Sequence, residues 1–245
     1  MSLILGHRGA KAYYAENTLN SFEKAIAMGA DGVELDIHFS KDGEIMVFHD
    51  FTLERMCGVK GAISDMTKDA LKKMTVTFKG QRETIPTLDE TLDLIKALQH
   101  KYSRKLWVNI ELKAGSALYP NIEQAALSTA FKYLLPDQLI FSSFDHFAIK
   151  TIKALNPDAQ TGVLTASAMV DPWEYTQKLL ADFYHPAHET LNPATLDMFD
   201  KNQLKINTYT VNNTKIARWL LENGVHAIIS DKPDVMVKIR DSLNV

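Results

Sequence analysis

Short apolar runs alternate along the chain with longer stretches of helical period. Residues 3–6, 32–39, 105–113, 138–144, 160–165, 182–185, 204–211 and 225–230 have the length and apolar content of strands. Between them, residues 18–28, 88–98, 122–135, 146–155, 172–180, 193–201, 214–223 and 234–243 repeat their apolar positions at helical spacing. In the first helix Leu19, Phe22 and Ile26 form the stripe, Asn17 or Thr18 supplies the cap, and Gly29 stops it. Parallel strands need crossover connections, so regular strand–helix alternation predicts a parallel sheet. Eight such units in 245 residues predict an α/β fold of the (β/α)₈ barrel type. A doubly wound open sheet is the alternative, weakened because Gly-x-Gly-x-x-Gly is absent after the first strand.

One interval breaks the rhythm. The third strand starts at residue 105, far beyond the second at 32. Part of the excess is a hairpin: Lys41-Asp42-Gly43 reads as a turn and residues 44–49 as a short antiparallel strand. Residues 51–86 are polar and lack a long apolar period. The expectation is one domain over residues 1–245, with a small insertion over about 44–86 on the face where barrel active sites lie.

Composition narrows the function classes. Hydrophobic residues make up 46% and charged residues 23%, as in a globular protein rather than a disordered or fibrous one. The 27 basic and 30 acidic residues give a net charge of -3, without the basic excess of a nucleic-acid binder. The single cysteine, Cys57, excludes an intrachain disulfide framework. No apolar run spans a membrane, and the first residues carry neither a basic n-region nor an apolar h-region, so a cytoplasmic location is expected. A homodimer is left open.

Barrel active sites lie at the C-terminal ends of the strands, so polar residues there are the candidates. His7-Arg8-Gly9 follows the first strand and suits an anionic substrate. Glu34 and Asp36 lie two apart on the second strand and share a face, with Val33, Leu35 and Ile37 on the other. Two buried carboxylates are costly without compensation, and oxygen ligands suit Mg²⁺ or Ca²⁺ better than Zn²⁺. His38 falls on the same face and is read as supporting. The hairpin ends in His49-Asp50 and returns His49 towards the carboxylates, whereas Asp50 orients an imidazole or serves as a turn carboxylate. Glu111, a third acidic ligand, shares a face of the third strand with Lys113, a positive charge for a phosphate. Two histidines, a divalent-cation site and two basic residues are what phosphate-ester hydrolysis requires.

The same residues resemble the glycerophosphodiester phosphodiesterases, which share the barrel of the bacterial phosphatidylinositol-specific phospholipases C. The resemblance runs through His7-Arg8-Gly9, Glu16-Asn17-Thr18, Glu34-Leu35-Asp36, Lys41-Asp42-Gly43, Val47-Phe48-His49-Asp50, Ile85-Pro86-Thr87-Leu88 and Glu111-Leu112-Lys113. It continues through Ser142-Ser143-Phe144, Thr210-Val211-Asn212 and Ser230-Asp231-Lys232-Pro233. It implies His7 and His49 as an acid–base pair, and Glu34, Asp36 and Glu111 as ligands of Mg²⁺ or Ca²⁺. Arg8 and Lys113 would bind the phosphate, Glu16 would orient partners or touch the glycerol end, and Phe144 would line the pocket. The family's usual Trp-Thr-Val-Asn is Tyr209-Thr210-Val211-Asn212 here, which keeps an aromatic wall and adds a hydroxyl. Alternation from Tyr209 places Val211 on its face. The implied reaction cleaves a small-molecule glycerophosphodiester, such as glycerophosphocholine or glycerophosphoethanolamine, to sn-glycerol 3-phosphate and an alcohol. The alternatives are a lysophospholipase D-like activity on lyso-lipids and a non-catalytic phosphate-binding barrel.

Other conspicuous residues are read as structural. Cys57 has no partner base nearby in sequence. His185 and His188 have metal-ligand spacing but are expected to line the pocket or pack, and His100, His146 and His226 to support the fold.

Overall fold

The structure, a computed structural model, describes residues 1–243. In chain order it comprises β1 (Leu3–His7), α1 (Leu19–Ala27), β2 (Gly32–Phe39), β3 (Ile45–Val47), α2 (Glu54–Cys57), α3 (Lys68–Leu71), β4 (Thr75–Phe78), β5 (Gln81–Thr84), α4 (Leu88–Tyr102) and β6 (Trp107–Leu112). There follow α5 (Ile122–Ala130), β7 (Leu139–Ser143), α6 (His146–Leu155), β8 (Thr161–Thr165), α7 (Pro172–Lys178), β9 (Phe183–Pro186), α8 (Pro193–Lys201), β10 (Lys205–Thr208), α9 (Thr214–Glu222), β11 (Ala227–Ser230) and α10 (Pro233–Ser242).

Strands β1, β2 and β6 to β11 pair in parallel, and β1 bonds both β2 and β11, so the sheet closes into a (β/α)₈ barrel. Alternation along each strand sorts the two faces. Val33, Leu35 and Ile37 pack outward with Phe22 and Ile26 of α1 and Leu92 and Ile95 of α4. Leu5, Ala227 and Ile229 pack inward with Trp107. The helices start where the sequence supplies caps: Thr18 accepts from the Ser21 amide, and Thr87 and Glu90 form a reciprocal capping box.

The long interval between β2 and α4 is built from short pieces. Strand β3 pairs antiparallel with β2, in register Ile37 to Val47, and β4 and β5 form a separate hairpin. Met46, Phe48, Leu53, Met56, Ile63, Leu71, Val76 and Ile85 make a small core of their own. Met66, Met74 and Phe78 pack against it. No piece is long enough to display a helical period, which is why the sequence shows none there.

The seventh barrel strand ends earlier than its apolar run suggests. β10 stops at Thr208. Tyr209 packs with the barrel interior, whereas Val211 joins the outer core with Ala217 and Leu220. Tyr209 and Val211 therefore do not share a face, because alternation ends with the strand. Among the described residues no helix is long and apolar enough to cross a membrane.

Candidate active site

The first strand delivers His7 and Arg8 to the barrel mouth by a tight turn. Arg8 has φ 50 and Gly9 φ 86, both in the left-handed region. A Cβ on Gly9 would lie 2.3 Å from the Ser21 hydroxyl, so only glycine fits. The strained Arg8 backbone is held from several sides: its amide donates to Glu34 at 2.9 Å, and its carbonyl accepts from Ser21 Oγ at 3.0 Å and the Asn17 amide at 3.0 Å.

Glu34, Asp36 and Glu111 converge. β2 and β6 run in register with Asp36 opposite Glu111, and oxygens of all three carboxylates lie within 4.8 Å of one another. All three are buried. Burial first, then the charges of Asp36 and Glu111, push the Glu34 carboxyl well above its usual range. Burial and Asp36 push Glu111 up to about 7. Asp36 goes the other way: burial would raise it, but Arg8 and Lys113 outweigh that and hold it low. Its Oδ2 accepts from Asn17 at 2.8 Å, whereas its buried Oδ1 has no hydrogen bond among the described residues. Three hard oxygen donors, one of them buried without a hydrogen bond, fit a divalent cation.

Positive groups ring this cluster. Lys113 Nζ lies 2.7 Å from Glu111 and 3.4 Å from Asp36, and Arg8 Nε lies 3.4 Å from Asp36. Arg8 Nη1 donates to buried Glu16 at 2.8 Å.

His7 and His49 each carry a carboxylate on Nδ1. His7 Nδ1 is 2.6 Å from Asp231 Oδ1, and its Nε2 is 3.9 Å from Glu34. Asn212 holds the other Asp231 oxygen at 2.7 Å. His49 Nδ1 is 2.6 Å from Asp50 Oδ1, so of the two readings of Asp50 the structure selects the orienting one. Burial lowers both imidazoles below their ordinary value, against the raising effect of the carboxylate each one bonds. A neutral ring bonded to a carboxylate through Nδ1 leaves Nε2 free to exchange protons. His38, fully buried, bonds Tyr119 at 2.8 Å and the His49 carbonyl at 3.1 Å, and so supports the His49 backbone.

His7, Glu34, Asn109, Glu111, Leu164, Tyr209 and Ile229 line a small cavity at the mouth. Phe144, at the end of β7, is half exposed and meets Tyr209 edge to face at 6.1 Å between ring centroids. The Tyr209 hydroxyl donates to the Thr165 carbonyl at 2.8 Å, so the added polar atom is already engaged.

A buried acidic triad, paired histidines and flanking cations form a centre for phosphate-ester chemistry. The sequence pattern of the glycerophosphoryl diester phosphodiesterase family matches residues 7–235. The chain belongs to this family. It is 34% identical over 249 residues to a glycerophosphodiester phosphodiesterase of Bacillus altitudinis, covering 99% of this chain and all (100%) of that one. It is 32% identical over 242 residues to one from Caldanaerobacter subterraneus subsp. tengcongensis, covering 97% of each. An Oleispira antarctica phosphodiesterase, solved in complex with the product sn-glycerol-3-phosphate, superposes with a TM-score of 0.90 at 28% identity, covering 98% of this chain and 97% of that one. The protein is thus a phosphodiesterase of the glycerophosphodiester class.

Three further residues join the site without having been assigned a role from the sequence. Asp231 and Asn212 lie in stretches that resemble the family, yet neither stretch says which atom they serve. Arg55, on α2, bonds Asp50 and Glu16. A lone arginine in a polar segment gives no signal of that. His185 is fully buried inside the barrel against Asn207 at 2.9 Å, a packing role, and burial raises the Cys57 thiol to about 11.

Proposed function

We propose that the protein hydrolyses glycerophosphodiesters such as glycerophosphocholine or glycerophosphoethanolamine to sn-glycerol 3-phosphate and an alcohol, with a divalent cation held by Glu34, Asp36 and Glu111. The observation that carries this reading is the buried carboxylate triad flanked by two histidines, each with its Nδ1 on a carboxylate. The product complex of the Oleispira antarctica relative supports the choice of product.

Glu34, Asp36 and Glu111 would hold the Mg²⁺ or Ca²⁺, which would supply positive charge to the phosphate. Arg8 and Lys113 complete the binding of the phosphate anion, and Arg8 is kept in place by Glu16. The two imidazoles share the proton work: one, entering neutral, takes a proton from the attacking water, or from the substrate's 2-hydroxyl before water opens the cyclic ester, and the other, entering as imidazolium, gives one from Nε2 to the departing alcohol. Phe144 and Tyr209 form the aromatic wall beside the leaving group.

The test is direct. The protein is incubated with each diester, with Mg²⁺ or Ca²⁺ and with EDTA, and glycerol 3-phosphate is assayed. Product that appears with the cation and disappears with the chelator is expected. Absence of product with either cation would overturn the reading.

A further inference from the structure

We propose that Arg55 is a positioning residue that locks His49 and Arg8 into one arrangement, and that supplying it is a function of the segment between β2 and α4. The inference rests on the reading above and extends it to a residue outside the barrel strands.

The geometry is that of a clamp. Arg55 Nε donates to Asp50 Oδ2 at 2.6 Å, and Nη2 reaches Asp50 Oδ1 at 3.0 Å, a two-pronged engagement of one carboxylate. The same Nη2 donates to Glu16 Oε1 at 2.6 Å. Each carboxylate has a second client. Asp50 Oδ1 accepts His49 Nδ1 at 2.6 Å, and Glu16 Oε1 accepts Arg8 Nη1 at 2.8 Å. One guanidinium therefore joins the group that orients a proposed proton carrier to the group that orients a proposed phosphate ligand.

Arg55 is itself held. Its neighbours Leu53 and Met56 are buried in the small core with Ile63, Leu71, Val76 and Ile85. That core fixes α2 over the mouth, and the arginine projects from it with its side chain half exposed. A surface ion pair of this exposure contributes little to stability on its own. Sharing two carboxylates with two site residues is what distinguishes it from a solvated charge. Lysine keeps the charge but lacks the planar fork, so it cannot hold both Asp50 oxygens and Glu16 together.

The experiment compares wild type with Arg55→Ala and Arg55→Lys in the full chain with Mg²⁺. For Arg55→Ala, kcat is expected to fall roughly 10- to 100-fold, the usual cost of removing an orienting partner, with KM changed less than about threefold. Millimolar guanidinium, which can enter the half-exposed site, is expected to restore part of the lost kcat in Arg55→Ala and to leave the wild-type kcat unchanged. Arg55→Lys is expected to lie between the two. ¹⁵N spectra of the histidines give a readout independent of turnover: His49 is fixed with hydrogen on Nδ1 in wild type and averages between tautomers in both variants. If wild type turns over no diester while the His49 signal still responds to Arg55, the functional reading fails and the clamp stands. Wild-type kcat in Arg55→Ala, lost kcat that guanidinium does not restore, or an unaltered His49 tautomer in a folded Arg55→Lys would overturn the proposal.

Discussion

His7 and Asp231 stand 2.6 Å apart, Nδ1 to Oδ1, although the first closes β1 and the second follows β11 at the other end of the chain. Barrel closure makes the contact, since β1 and β11 are neighbours with Gly6 opposite Ser230. The carboxylate fixes the ring so that Nε2 faces Glu34. Asp231→Asn keeps the shape but offers an amide whose nitrogen can select the other tautomer. We expect kcat to fall at least ~100-fold with cation affinity unchanged. Steady-state kinetics beside a calorimetric cation titration checks this; near-normal kcat would remove Asp231 from the mechanism.

Cation binding should expel protons. Burial and mutual repulsion hold Glu34 well above the ordinary carboxylate value and Glu111 at about 7, so below neutrality the free site retains protons that a cation must displace. Affinity is therefore expected to rise between pH 6 and pH 8, with roughly one to two protons released per ion at pH 6 and fewer at pH 8. Calorimetry in buffers of different ionisation enthalpy measures the count. Equal affinity at both pH values with no proton release would contradict the assignment of these ligands.

Glu34, Asp36 and Glu111 were legible from the sequence because strand side chains alternate with a period of two, and β2 and β6 are regular over the whole stretch that matters. Beyond the strand ends the same rule left the role of Asp50 open and misplaced Val211. β3 stops at Val47, so Asp50 is free to turn onto the ring of its neighbour His49, and β10 stops at Thr208, which separates Tyr209 from Val211. Arg55 was invisible for a different reason. Its partners Asp50 and Glu16 come from separate loops, and only the fold of the small core around Met56 brings them within reach.

Stability should fall on mild acidification through histidines remote from the cation site. Burial, with smaller charge effects, lowers His185 to about 3 and His226 to about 4. Below the unfolded value near 6.5 the unfolded chain takes up protons that the folded chain refuses, so stability drops as pH falls from 6.5 towards 4. At pH 5 the loss is about 2 kcal/mol per histidine. Urea unfolding of wild type and His226→Gln at pH 7.5 and pH 5 isolates one of the two, because contributions from the carboxylates are common to both proteins. The variant is expected to lose about 2 kcal/mol less than wild type over that interval. An identical loss in both would show that His226 titrates normally.

The barrel interior below the site depends on one missing side chain. Gly162 on β8 faces His185 on β9 so closely that a Cβ would lie 2.4 Å from the ring's Nε2 and 2.7 Å from two ring carbons. That Nε2 accepts a hydrogen bond from Asn207, whose Oδ1 in turn meets His226 Nδ1 at 2.7 Å. The ring is fully buried and has no empty direction offered by solvent. Gly162→Ala must therefore push the imidazole off its partner, combining overpacking with a lost buried hydrogen bond. We expect a loss of about 2–4 kcal/mol, read as a lower urea midpoint with an unchanged slope. If the clash with the ring is the cause, His185→Ala makes room for the new methyl group. The double variant Gly162→Ala/His185→Ala should then be more stable than the sum of the two single losses, by at least ~1 kcal/mol. Strict additivity would place the damage elsewhere, in the β8 backbone rather than in the contact between these two residues.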